Sequence, residues 1–219
     1  MTQIQRRHFN TGLIAVAVAS LPSLSQAQAP AQAQPIEGKQ FLRLSQPLAA
    51  GAGGKIEVFE FFLYTCPHCF AFDPLVSAWS KQLPADVQLR QIHVGIGAMH
   101  KLHQRLFYAL ESLGRLGDLH TQVFNALQVE RLDLSSEKAI TAWAVSKGLD
   151  ASKFSAAFNS FGAQARLGQS TKLAEAYRAD GVPALGVGGR FLTSPSMAGG
   201  MPQALAVTDH LIKLARSKG

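Results

Sequence analysis

The sequence predicts an α/β (α+β) fold in which a block of helices interrupts a sheet. Three observations predict it. Ile56, Val58, Phe59, Phe61 and Phe62 form a near-continuous β-branched and aromatic run, the pattern of a strand buried on both faces. From about residue 96 to residue 177 the apolar residues recur at helical spacing instead. Two short apolar runs, Ala184 to Val187 and Arg190 to Thr193, then flank Gly188-Gly189, a two-residue hairpin turn. A hydrophobic fraction of 47% against 16% charged residues supports a packed core over most of the 219 residues.

The N-terminal residues stand outside that core. Arg6 and Arg7 precede a short apolar run, Leu13 to Leu21, closed by Pro22, and Ser25-Gln26-Ala27 offers small residues flanking a cleavage point. That order reads as a signal peptide over residues 1–27, with an uncleaved membrane anchor as the alternative. The apolar run falls short of the roughly 20 residues a membrane span needs. Arg6-Arg7-His8-Phe9 partly resembles a twin-arginine signal, from which Gln5 and Asn10 depart, so both export routes stay open. Residues 28–39 read as a flexible leader. Removing Arg6 and Arg7, with no acidic residue between 1 and 27, lowers the formal charge from +7 to +5. The remaining basic residues are scattered, which favours a solvated surface over a nucleic-acid footprint.

Phe41 to Leu44 is a candidate edge strand, and Lys55 to Leu63 is the buried strand that runs straight into Cys66. A helix is expected from Pro67, where a missing N–H goes unneeded, to about Gln82, carrying Phe70, Leu75, Val76 and Trp79 and kinked at Pro74. Val87 to Val94 alternates as a strand. Leu102, Leu106, Leu110 and Leu113 mark one helix, and Leu116, Leu119, Val123 and Leu127 mark the next. Ser135 is the expected N-cap of a helix carrying Ile140, Trp143 and Ala144 and ending at Gly148. Asp150 caps another that carries Phe154, Ala157, Phe158 and Phe161. Leu167, Ala174 and Tyr177 belong to a helix before Gly181, and Met201 to Lys218 closes the chain as a helix. The order β, β-α-β, helices, β-β-α is a thioredoxin-type layout. Residues 40–95 and 178–219 then form a thioredoxin-like domain, and residues 96–177 a helical insertion.

The chemistry is expected in Cys66-Pro67-His68-Cys69. These hold both of the chain's cysteines, and so short a loop constrains the unfolded chain little, so the pair reads as chemical rather than structural. A thiolate is the nucleophile in disulfide exchange. At a helix start Cys66 faces unpaired backbone N–H groups and the positive end of the helix dipole, and His68 adds a donor or a positive charge. Both favour the thiolate, which stabilises the reduced pair and makes its disulfide an oxidant. Cys69, one turn along and more sheltered, is the expected resolving thiol. Covalent haem attachment fails because Phe70 stands where a histidine is required. A metal site fails because Cys66, Cys69 and His68 cannot easily converge and no second such pair exists.

The segment Glu60-Phe61-Phe62-Leu63-Tyr64-Thr65-Cys66-Pro67-His68-Cys69 resembles the active-site segment of the DsbA family of bacterial disulfide-forming oxidases. Gly181-Val182-Pro183-Ala184 resembles that family's cis-proline loop. The resemblance covers nearly all of residues 40–217 and implies a thioredoxin fold with an inserted α-helical domain. It implies that Pro183 is cis against the disulfide, that Val182 offers its backbone to a substrate peptide, and that Glu60 is buried behind the pair and exchanges protons with Cys69. The alternatives are a trans Pro183 and a solvent-facing Glu60 beside Glu57. Strand alternation does not decide the second, because residues 58, 60 and 62 share a face.

The resemblance further implies a periplasmic monomer with no cofactor beyond the Cys66–Cys69 disulfide. Unfolded exported proteins would be its substrates, and a DsbB-type membrane partner would reoxidise it with quinone. A periplasmic isomerase or reductant is the second reading, disfavoured by the short stretch before the first strand where such isomerases carry a dimerisation module. A groove-binding, chaperone-like module is the third, disfavoured by the intact Cys-Pro-His-Cys. His93, His100 and His103 read as structural or surface residues. Phe191 and Met197 to Met201 read as core, or as the lining of an apolar groove beside the motif.

Overall fold

The structure, a computed structural model, describes residues 34–49, 53–95 and 97–217, together with Thr2. Apart from Thr2, the expected signal peptide and the first part of the leader lie outside the described residues. The elements are β1 (Leu42–Arg43), β2 (Ile56–Phe62), α1 (Pro67–Ser80), β3 (Val87–His93), α2 (Ala98–Ser112), α3 (Leu116–Gln128), α4 (Glu137–Ser146), α5 (Ala151–Phe158), α6 (Phe161–Tyr177), β4 (Ala184–Val187), β5 (Phe191–Thr193), α7 (Pro195–Ala198) and α8 (Met201–Arg216). The strands form one mixed sheet in the order β1-β5-β4-β2-β3. β3 lies parallel to β2 with α1 as the crossover, while β4 runs antiparallel to β2 with Ala184 opposite Phe61. β5 and β1 complete the sheet in antiparallel register.

β2 is flanked by strands on both sides, and its apolar run serves both faces. Val58 packs with Phe72, Val76, Val187 and Leu211 beneath α1 and α8. Phe59 and Phe61 point the other way, toward Ile92, Leu192 and Tyr177. Phe62, at the end of the strand, enters a third cluster with Tyr64, Cys69 and residues of α2 to α5, among them Phe107, Phe124, Trp143 and Phe154. The hairpin between β4 and β5 turns on Gly188 and Gly189, both in the left-handed region at φ +57° and +66°, which glycine adopts without a Cβ clash.

Local chemistry explains where the elements depart from expectation. α1 runs unbroken through Pro74 and buries Cys69, Phe72, Asp73 and Val76. That face is set by Cys69 pointing inward, so Leu75 turns to solvent. α4 is capped by Ser136, whose hydroxyl accepts from Ala139 N–H at 3.2 Å, and not by Ser135, whose own N–H is taken by Asp133 Oδ1. Asp150 caps α5 as expected, at 2.8 Å to Lys153 N. That helix stops at Phe158, however, because Ser160 opens α6 by accepting from Ala163 N–H, which leaves Phe161 87% exposed. The short α7, capped by the Ser194 hydroxyl with Pro195 in its first turn, was not anticipated. Among the described residues no helix is long and apolar enough to cross a membrane.

Tyr177 ties α6 to the sheet. Its ring meets Phe59 and Phe61 at centroid distances of 5.7 and 5.6 Å, and its hydroxyl accepts from Gly189 N–H at 2.8 Å. The ring lies flat on Gly186, where an added Cβ would stand 2.6 Å from it. Gly186→Ala is therefore expected to lower unfolding free energy by about 1–3 kcal/mol, the range for overpacking a filled core. Chemical denaturation with an unchanged slope would show it, and wild-type stability would refute the packing account.

Candidate active site

The site forms where β2 hands the chain to α1. After Phe62 the backbone turns so that Cys66 N–H donates to Leu63 O at 3.1 Å, and Cys66 adopts an extended conformation (φ −87°, ψ 116°) as the helix N-cap. Pro67 occupies the first turn, where its missing N–H breaks no helical bond. Cys66 Sγ accepts from Cys69 N–H at 3.4 Å, which is the capping interaction of α1 made by sulfur. The helix dipole and its unpaired N–H groups thus converge on Cys66, as the spacing predicts.

The two cysteines are inequivalent. Cys66 is half-buried, and its thiol points toward Val182 O at 3.8 Å. Cys69 is fully buried in the cluster with Phe62 and Tyr64. Burial pushes the Cys69 thiol far above the ordinary thiol range, and the nearby Cys66 and Glu60 reinforce the effect. Both thiols are free in this structure, which is the dithiol form. His68 is exposed in the first turn of α1 and faces a groove of about 610 Å³ lined by Leu42, Val182, Pro183, Leu192, Met197 and Met201. The Val182–Pro183 peptide is cis. Phe191, by contrast, is core: it is fully buried, with its ring edge-on to Phe41 at 5.9 Å.

Glu60 lies on the face of β2 that packs under α1 and is 2% exposed, so the solvent-facing alternative does not hold. Its carboxyl is pushed up to about 7 by burial, opposed by a hydrogen bond from Gln91 Nε2 at 2.9 Å and reinforced by Asp73. Sequence reasoning missed the groups that surround it: Gln91 on the adjacent β3, His120 on α3, Asp73 on α1 and Tyr64. Asp73 carried a signal, because it stands four residues after Cys69 and so shares its helix face. His120 carried a weaker one, sitting next to Leu119 in an apolar stripe. His93 is structural, as expected. Burial holds it neutral, well below the ordinary histidine range, and its Nε2 accepts from Tyr64 N–H at 3.3 Å. Among the described residues no cluster of His, Cys, Asp and Glu could hold a metal ion.

A family model described as "DSBA-like thioredoxin domain" matches residues 57–205. The chain belongs to this family. It is 42% identical over 207 residues to the thiol:disulfide interchange protein DsbA of Bordetella parapertussis, covering 94% of this chain and 97% of that one. It is 37% identical over 180 residues to the DsbA of Pseudomonas aeruginosa, covering 82% and 85%. The crystal structure of Pseudomonas aeruginosa DsbA superposes with a TM-score of 0.80, covering 84% of this chain and 95% of that one. That of DsbA1 from Neisseria meningitidis superposes at 0.73 with 27% identity. As a member of the DsbA family the protein is a thiol:disulfide oxidoreductase on a thioredoxin-like fold.

Glu60 has a measurable consequence for stability. In the unfolded chain it ionises near its ordinary value of 4.5, whereas the folded protein holds the proton to about 7. Between these values the native state binds more protons, so this group's contribution to stability falls as pH rises through that window. Glu60→Gln is expected to flatten the dependence, gaining on the order of 3 kcal/mol relative to wild type at pH 8 over pH 4. Denaturant unfolding of the reduced proteins across that range measures it, and parallel profiles would show that Glu60 is not held protonated.

Proposed function

We propose that the protein oxidises thiols of newly exported proteins, and the observation that carries this reading is the inequivalence of its two cysteines. Cys66 is the accessible sulfur, set at a helix N-terminus that favours its thiolate and therefore the reduced pair. A disulfide whose reduced form is stabilised is readily given away. The substrate thiolate attacks Cys66 Sγ, the Cys66–Cys69 bond breaks, and Cys69 leaves with the electron pair. A buried thiolate there is costly. Glu60, whose carboxyl keeps its proton to about 7, supplies the proton. The second substrate thiolate then attacks the substrate sulfur of the mixed disulfide and releases Cys66 as thiolate. Two electrons pass from substrate to the pair, and no small-molecule cofactor takes part.

The groove beside Pro183 suits a substrate segment. Val182 O lies against Cys66 Sγ, so an extended peptide crossing there would meet backbone groups and the reactive sulfur together. The apolar lining from Leu192, Met197 and Met201 fits unfolded chain, and Met side chains adapt to varied partners. We further assign the protein to the periplasm after removal of residues 1–27, as a monomer reoxidised by a DsbB-type membrane quinone reductase, without nucleic-acid contact. On this reading residues 40–95 and 178–219 form the catalytic domain and residues 96–177 the helical insertion.

Equilibration of the pair against glutathione decides the direction of electron flow. An oxidising midpoint is expected, whereas a strongly reducing one, with vigorous insulin reduction, would support the reductant or isomerase alternative. Cys66→Ala is expected to reduce thiol oxidation to the uncatalysed rate, while Cys69→Ala, given a substrate disulfide, is expected to release one substrate thiol and stop at a mixed disulfide through Cys66. Retained exchange in Cys66→Ala would overturn the assignment of the nucleophile.

A further inference from the structure

The polar chain behind Cys69 does not end at Glu60. Gln91 Nε2 lies 2.9 Å from Glu60 Oε2 and 3.1 Å from His120 Nε2. His120 Nε2 is also 3.3 Å from Asp73 Oδ1, and its Nδ1 is 2.9 Å from the Tyr64 hydroxyl. The Thr121 hydroxyl donates to the other Asp73 oxygen at 2.9 Å. The rings of Phe62, Phe107 and Phe124 wall in the imidazole, so these bonds are made away from water, where an unmatched pair is expensive.

A single side-chain amide therefore bridges a carboxyl and an imidazole. An amide donates at one end and accepts at the other, and it reverses by rotation about its last torsion. With Glu60 ionised, the amide nitrogen donates to the carboxylate, and its second proton can go only to a bare His120 Nε2. Asp73 Oδ1 then faces a lone pair. With Glu60 protonated, the amide turns its oxygen inward and accepts from both the Glu60 hydroxyl and His120 Nε2–H. That N–H also serves Asp73, and the Tyr64 hydroxyl donates to Nδ1. Burial keeps the Tyr64 hydroxyl protonated, so it is available as that donor. Only the second arrangement sets no like groups face to face.

We propose that Gln91 and His120 are positioning residues that link the protonation of the Glu60 carboxyl to the tautomer of His120 through the orientation of one amide. The inference rests on Glu60 being the proton donor to Cys69. In the chemical step only that proton moves, from the Glu60 hydroxyl to the Cys69 sulfur. The amide and imidazole then re-equilibrate with solvent, and Asp73 and Thr121 line a surface groove between α1 and α3. The other groups facing His120 leave this linkage intact. Asp73 comes from α1 and Tyr64 from the loop after β2. His93 of β3 is held neutral by burial and by His103 and His100 of α2.

The test is nuclear magnetic resonance of the reduced, isotope-labelled full chain between pH 5 and 9, following the Glu60 carboxyl carbon and the His120 ring nitrogens. The two His120 nitrogens are expected to exchange protonated and bare character at the midpoint of Glu60. Glu60→Gln is expected to remove that step. Gln91→Leu is expected to leave Glu60 titrating while His120 no longer follows. Ring nitrogens that stay flat through the Glu60 midpoint, or a step that persists in Gln91→Leu, would overturn the linkage, and the wild-type spectra decide it even where Gln91→Leu fails to fold. The pH profile of thiol oxidation separates the two layers. If Glu60→Gln leaves that profile unchanged, the proton-donor role falls and the inference with it. A changed profile with flat His120 nitrogens defeats the linkage alone.

Discussion

The site depends on one junction, the passage from β2 into α1 through Leu63, Tyr64 and Thr65. The strand is held on both sides by β3 and β4, so its end is fixed in direction. The helix starts at Cys66, whose sulfur caps it by accepting from Cys69 N–H. This single geometric fact places one cysteine at the helix N-terminus and the next one turn deeper, against Phe62 and Tyr64. Their difference in burial follows from that backbone path together with the apolar cluster that receives the deeper thiol. The same turn carries Tyr64 inward, where Gln128 Nε2 donates to its carbonyl at 2.8 Å and anchors the junction to α3.

On the proposed mechanism, burying Cys69 creates a proton problem: a thiolate formed there could not be solvated, which calls for a donor buried beside it. Buried polar groups stay only if their bonds are satisfied. Glu60 is satisfied by Gln91, Gln91 by His120, and His120 by Asp73 and Tyr64. Asp73 illustrates the balance: burial raises its pKa, yet the hydrogen bonds from His120 and Thr121 and the charge attraction of His120 together outweigh this and hold the carboxyl below its ordinary value. A layer of polar side chains through a core otherwise made of Phe and Leu is costly to stability, which is a common property of reactive sites.

How much of this could be read beforehand divides along physical lines. The order of elements along the chain, the hairpin at Gly188-Gly189 and the helices from Leu102 to Tyr177 follow from periodicity and turn chemistry, which are local. The placement of Cys66 and Cys69 was legible because Cys-Pro-His-Cys after a buried strand is a dense local signal, and that of Pro183 through the resemblance of its loop. The depth of Glu60 was legible through the resemblance alone, because residues 58, 60 and 62 share a face and only the packing of α1 and α3 decides what covers it. The partners of Glu60 were not legible. Gln91 meets it across a parallel register, and His120 arrives from a helix 60 positions further along, so no window of sequence holds the group together. The errors at Ser135 and Phe161 are of a smaller kind: Ser136 takes the cap from its neighbour Ser135, and Ser160 opens a new helix just before Phe161.

The helices between β3 and β4 therefore do more than sit on the sheet. Their largest apolar cluster is continuous with Phe62, Tyr64 and Cys69, so they supply the wall that makes Cys69 dry. They also supply His120, which reaches both Asp73 and Gln91. On the proposed mechanism the covering helices make Cys69 a buried leaving group, and Glu60, whose carboxyl burial pushes up to about 7, lies in the same core on β2 to supply its proton.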